Sequence, residues 1–215
     1  MTQNNNWYLL RFSLVLGFFF AVGVLGHALP QTRGLMLAAT PWFLLLSGAA
    51  ALAVAWPRQG AGRFVLWLVL AYGITLAVEI YGVASARVFG AYHYGPTLGL
   101  AVGGVPLIIG FNWVLVILAC VSLFDGLPGS RWWGPLPAAI LATAFDWIME
   151  PLAVRLDYWQ WDGGTIPLQN YLAWFAIALV LGASRNLLAT PLGRDSLAVL
   201  VALEAIFFFV LHLVV

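Results

Sequence analysis

Lysine is absent from this chain of 215 residues, and all nine basic residues are arginine. The absence excludes any mechanism that needs a lysine amine, a retinal or other Schiff base among them. A seven-helix photoreceptor fails on chemistry alone. Charge of either sign is scarce: Asp, Glu and Arg make up 8% of the chain, against roughly 25% in a soluble domain. Hydrophobic residues make up 63%, and the mean hydropathy is +0.97. No water-soluble surface can be assembled from what is left, so the chain reads as an integral membrane protein. The formal charge of +1 leaves no footprint for nucleic acid. One cysteine, Cys120, rules out an internal disulfide and leaves the redox compartment open. The three histidines, His27, His93 and His212, are scattered. With no HExxH, cysteine cluster or glycine-rich phosphate loop, no metal and no cofactor is expected.

What the chain has is long apolar runs of the roughly 20 residues that span a hydrocarbon core. Seven are expected, at about 8–28, 35–56, 63–86, 105–124, 134–156, 168–186 and 195–215. The breaks carry turn chemistry: Pro30 and Arg33, Trp56-Pro-Arg-Gln-Gly-Ala-Gly, Asp125-Gly-Leu-Pro-Gly-Ser-Arg, and Thr190-Pro-Leu-Gly-Arg. The first run lacks a strongly basic leader, and Gly26-His27-Ala28 is a poor cleavage site, so it reads as a retained helix. The expectation is one all-α domain over residues 1–215, a bundle of about seven transmembrane helices in the cell membrane. Arg11, Arg58, Arg63, Arg131, Arg185 and Arg194 fall on one side, and Arg33, Arg87 and Arg155 on the other. That asymmetry favours a cytoplasmic N-terminus. The third and fifth helices then run outward, and the aromatic segments Phe89-Gly-Ala-Tyr-His-Tyr-Gly and Asp157-Tyr-Trp-Gln-Trp-Asp-Gly-Gly sit at their outer ends. Pro106 and Trp113, with Asn112 between, echo Pro167 and Trp174, with Asn170 between. A weak internal repeat of 63–124 and 134–186 would explain the echo, and such repeats place sites at their interface.

Among the carboxylates inside these runs, three stand out: Glu79, Asp146 and Glu150. A charge near the bilayer centre costs at least ~2.5 kcal/mol, which makes each a functional candidate by default. Asp146 and Glu150 are four apart, so a helix sets both on one face about 6 Å apart along the axis. Two such carboxylates in a low dielectric do not both ionise easily, and a protonated acid in an apolar pocket is a general acid. Pro151 frees a backbone carbonyl in the preceding turn. The structural alternative is an ion network with Arg87 or Arg155. Glu79 would meet the pair at similar depth, or serve as a helix-contact residue. Asn112, Gln169 and Asn170 can orient water or act as interhelical glue. Tyr92, Tyr94, Tyr158, Trp159 and Trp161, with Trp113, Tyr171 and Trp174, offer ring faces that stabilise a cation; interfacial anchoring is their ordinary role. His93 is an alternative proton donor or an interfacial residue. Glu204 and His212 rank lower, as packing or relay groups, and Asp157, Asp162 and Asp195 as solvated loop residues.

Glu79, Phe89-Gly-Ala-Tyr-His-Tyr, Gly104-Val-Pro-Leu with Trp113, Asp146 with Glu150-Pro151, Tyr158-Trp-Gln-Trp, Gly164-Thr-Ile-Pro and Asn170-Tyr171 carry a resemblance over the central half of the chain. It resembles the membrane carotenoid 1′,2′-hydratases, which include CruF-type γ-carotene/lycopene hydratases and bisanhydrobacterioruberin hydratases. The resemblance implies addition of water to the terminal C1=C2 bond of an acyclic ψ end group, giving a tertiary alcohol without a cofactor. The expected substrate is lycopene, γ-carotene or a C50 relative, taken from the bilayer together with water. Other enzymes of the pathway are candidate partners. Protonation by Asp146 or Glu150 would give a tertiary carbocation, with the other acid or Glu79 handling water. Tyr92, His93, Tyr94, Asn112, Trp113, Tyr158, Trp159, Trp161, Asn170, Tyr171 and Trp174 would line the substrate site. A lycopene cyclase shares the opening protonation and differs in letting a neighbouring alkene capture the cation. A proton-coupled transporter and a non-catalytic carotenoid-binding protein are the readings from other classes.

Overall fold

The computed structural model describes residues 2–57, 59–188, 192 and 195–215. Every apolar run read from the sequence lies on a helix: α1 (Thr2–Ala28), α2 (Pro30–Ala55), α3 (Ala61–Ser85), α4 (Leu107–Ser122), α6 (Pro135–Arg155), α7 (Leu168–Leu188) and α8 (Ser196–Val214). The α5 helix, Ser130–Trp133, is a single turn. Among the described residues five helices, α1, α2, α3, α6 and α8, are long and apolar enough to cross a membrane. Arg58, Arg194 and most of the turn at 190–194 fall outside the described residues.

Amino-acid pattern sets the place of each helix. The α4 helix is buried continuously from Trp113 to Ser122, as an all-round apolar helix should be when it sits at the centre of a bundle. It packs against α2, α3, α6, α7 and α8. In contrast, α1 and α2 leave large side chains such as Phe18, Leu25, Leu35 and Trp42 exposed. Such faces are suited to lipid rather than to water.

The all-helical bundle carries one addition: four short strands form where the sequence shows only aromatic and glycine-rich connections. Strand β1 (Tyr92–Tyr94) pairs antiparallel with β4 (Trp159–Trp161), and β2 (Ala101–Val102) with β3 (Val105–Pro106). The β2–β3 hairpin turns through Gly103 and Gly104, both at positive φ (59° and 81°), the geometry that a two-residue hairpin demands. The register of the first pair is Tyr92 to Trp161, His93 to Gln160 and Tyr94 to Trp159. Because side chains alternate along a strand, the four large rings share one face and His93 and Gln160 share the other.

Each strand of the aromatic pair follows a helix that ends in a left-handed residue. Ala86 caps α3 at φ 56°, and Asp157, just past α6, also stands at φ 56°. Both bends fall seven residues after an acid, Glu79 and Glu150 respectively. They turn the chain back over the helix end and lay the aromatic strands across it. Gly82 makes room: a Cβ there would lie 2.6 Å from the ring of Phe89.

Candidate active site

The strand pair brings its four rings onto two of the three acids. Tyr92 and Tyr94 both donate their hydroxyls to Glu79 Oε2, the Tyr94 bond at 2.9 Å. Trp159 and Trp161 each donate an indole N–H to Glu150 Oε2 at 3.0 Å. Each of these acids is therefore gripped by two residues of the strand that follows its own helix. Asn170, near the start of α7, bridges Glu150 to the third acid, donating to Asp146 Oδ2 at 2.9 Å and to Glu150 Oε1 at 3.2 Å. The three acids and Asn170 are buried, Asp146 completely.

The tyrosines hold their hydrogen. Burial, followed by the nearby Glu79 carboxyl, pushes both the Tyr92 and the Tyr94 phenol well above the ordinary tyrosine value. Each remains a donor to Glu79. Tyr158, whose hydroxyl lies 3.2 Å from Thr40 Oγ1, is raised by burial to about 12.

Beside the cluster lies a cavity of about 250 Å³. Its walls include Glu79, Tyr92, Tyr94, Asn112, Trp113, Asp146, Glu150, Tyr158, Trp159, Trp161, Asn170 and Trp174, so the structure gathers these expected site residues around one space. Apolar side chains of α1, α2, α6 and α8 complete it, among them Phe20, Phe43, Phe145 and Phe208. Two lining residues, Phe19 and Val22 of α1, are also exposed on the outer surface. The aromatic wall is continuous: Trp113 stacks on Trp174 with ring centroids 3.5 Å apart, and Trp174 on Phe89 at 5.2 Å.

Two expected site residues stand apart from this space. His93 lies on the outer face of β1, its side chain 66% exposed and its Nδ1 3.1 Å from Asp162 Oδ1; strand alternation turns it away from the acid that Tyr92 and Tyr94 reach. Tyr171 is buried against Trp147, ring centroids 4.9 Å apart, lining a separate depression with Pro151. One residue along α7 from Asn170, it points to a different side of the helix. The ion-network alternative is also not what forms. Arg155 donates to the carbonyl of His212 at 3.5 Å, and Gln169 donates to the carbonyl of Arg87 at 2.5 Å, while the acids are held by indoles, phenols and an amide.

Hydrogen bonding separates the acids. Among the described residues Asp146 Oδ1 is a buried oxygen without a partner, whereas Glu150 has both oxygens engaged. In a dry site, the unpaired atom is the one a ligand must meet. Two further residues of the cavity wall share this property, and sequence reasoning passes over both: His27 as one of three scattered histidines, Glu204 as a packing or relay group. A signal for Glu204 does exist, since an acid in the apolar run 199–209 has no sequence neighbour to pair with.

Comparison with curated proteins and with solved structures gives no match. A family model described as "carotenoid biosynthesis protein" matches residues 39–215, which take in every helix from α3 onward and most of α2. With that match covering most of the chain and the acid cluster inside it, this chain belongs to the carotenoid biosynthesis protein family.

Proposed function

We propose that the protein is a cofactor-independent hydratase that adds water to the terminal C1=C2 bond of an acyclic carotenoid ψ end group. Its family supports a carotenoid substrate. The observation that carries the reading is Asp146, an unpartnered, fully buried carboxyl oxygen on the wall of an aromatic cavity. A carboxyl group in that position can give its proton to the less substituted alkene carbon. The positive charge then develops on the tertiary carbon, where the faces of surrounding rings stabilise a cation. Proton donation by a positioned acid contributes about 10²–10⁴-fold to such a rate.

Glu150 and Glu79 have a different task in this scheme. Glu150 is fixed by Trp159, Trp161 and Asn170, and through Asn170 it fixes Asp146. Glu79 anchors β1 through Tyr92 and Tyr94. The cavity, about 250 Å³, can take an end group and a water. The exposed Phe19 and Val22 on its wall fit a substrate whose remaining length lies in the bilayer. The strand-bearing end, which carries Arg33, Arg87 and Arg155, would face outward by the arginine count.

We also read the two helix–strand–helix units as copies. In support, Glu79 and Glu150 bear the same relation to the left-handed bend and to the strand that follows. Thr75 stands four residues before Glu79 where Asp146 stands four before Glu150. Thr75 is buried, with its hydroxyl spent on backbone carbonyls, those of Ala71 and Tyr72 among them. Only one unit would then supply a proton.

Expression in cells that make lycopene, followed by product mass, tests the reading. A gain of one water is expected from wild type and no gain from Asp146→Asn. An unchanged mass with a new ring would mean a cyclase, and full hydration by Asp146→Asn would remove that residue from the mechanism.

A further inference from the structure

Beyond the acid cluster, the same cavity carries two buried polar side chains with atoms that no group of the described residues satisfies. Glu204, in the middle of α8, is 2% exposed and neither carboxyl oxygen has a partner. His27, in the last turn of α1, is 3% exposed and its Nε2 has none. Both line the cavity. Leaving such groups unmet in an apolar setting costs free energy unless a ligand meets them.

The tautomer of His27 follows from its other nitrogen. Nδ1 lies 2.8 Å from the carbonyl oxygen of Gly23, and a carbonyl only accepts. Nδ1 therefore carries the hydrogen, and in the neutral ring Nε2 is a bare acceptor. The ring is held edge-on to Phe207 at 5.6 Å, and Arg33 Nε clamps the His27 carbonyl at 2.8 Å. Glu204 precedes Phe208 by one helical turn, so both project from one face of α8. Phe208 in turn meets Phe145, the neighbour of Asp146, with ring centroids 6.1 Å apart. Asp146, Glu204 and His27 thus stand on three different helices around one space, with a phenylalanine pair between the first two.

We propose that His27 Nε2 and the Glu204 carboxyl hold the water that captures the cation, with His27 as the base that takes its proton. This rests on the hydratase reading. Asp146 O–H transfers its proton to C2, and the electron pair of the C1=C2 bond becomes the C2–H bond. The held water gives a lone pair to C1, forming the C–O bond, and its surplus proton passes to Nε2. Return of that proton to the Asp146 carboxylate through water in the cavity restores both groups, so one water is the net addition. Glu204, hydrogen-bonded to the same oxygen, orients the water and faces the imidazolium while it lasts.

The test uses full-length protein in lipid nanodiscs, with lycopene as the probe in D₂O. Glu204→Gln and His27→Phe should each lower hydration by at least ~10-fold, while the recovered lycopene gains deuterium faster than it does with wild type, because a cation that is not captured loses a proton again. Asp146→Asn should stop both. Wild-type hydration in the two variants overturns the assignment. So does loss of deuterium uptake in variants that still bind lycopene. A second measurement needs no variant: wild-type protein should retain the 1-hydroxy derivative of lycopene about tenfold more tightly than lycopene, the worth of one or two hydrogen bonds, and equal retention overturns the subsite. Wild-type protein that adds no water at all would sink the hydratase reading itself, an outcome distinct from either.

Discussion

Trp113 of α4 and Trp174 of α7 lie face to face, ring centroids 3.5 Å apart and planes 13° from parallel. They are the two tryptophans that close the Pro-to-Trp echo in the sequence. Each also lines the cavity, so the seam between the two helix pairs is part of the site wall. Replacing Trp174 by alanine should lower the unfolding free energy by about 3–5 kcal/mol, the usual cost of a large aromatic removed from a core. Trp174→Phe should retain more of the stability and more of the rate. Chemical unfolding in detergent and initial product formation are the two readouts, and an alanine variant as stable as wild type would contradict the packing role.

The phenols of Tyr92 and Tyr94 bring a pH dependence. Their folded-state values stand above the unfolded value of about 10. The stability they contribute is therefore complete below that pH and declines above it, as the unfolded chain releases protons that the folded chain keeps. The decline should reach up to about 1.4 kcal/mol per pH unit for each phenol. Tyr92→Phe/Tyr94→Phe should flatten the alkaline limb of a stability-against-pH curve, and an unchanged limb would refute this account.

Gly95 follows β1 and donates its N–H to the carbonyl of Tyr158 at 2.9 Å. A Cβ at this position would collide with the backbone oxygen of Asp157, which cannot swing aside as a side chain can. Gly95→Ala should detach β1 from β4. The expected signs are loss of most product formation and a lower melting temperature; a variant that keeps both at wild-type values would show that the strand pair tolerates displacement.

At the other end of the bundle Asp125, after α4, accepts two bonds from Arg185 of α7, at 2.5 and 2.7 Å. Arg185 is 2% exposed. Asp125→Asn should destabilise the protein by about 3–5 kcal/mol, since one charge is left buried without its partner. The site lies elsewhere, so activity per folded molecule should stay near wild type. A loss of activity larger than the loss of folded protein would link this ion pair to the chemistry.

Legibility from sequence follows the kind of force involved. Solvation is written residue by residue, so the places of the long helices can be read from apolar runs and from breakers such as Pro57 and Gly60. The costs of burying Glu79, Asp146 and Glu150 are equally local, and composition alone marks them as candidates. Pairing between strands is not local. The meeting of Tyr92 with Trp161 depends on two left-handed bends, at Ala86 and Asp157, where neither residue is a glycine. His93 stands away from the acids for the same reason, because a strand gives its neighbours the opposite face. His27 stays hidden in the sequence, and the place of Glu204 in an apolar run does not rank it, because their shared distinction is an atom without a partner, which no spacing displays.

The two-stranded ladder has a consequence for how the protein tolerates length changes. Its alternation is binary, so a one-residue slip of β1 against the helix before it would invert the ribbon: the imidazole of His93 would enter the dry side and both phenols would leave it. An insertion between Ala86 and Ala91 should thus silence the protein at one residue and spare it more at two, as though the segment counted in pairs.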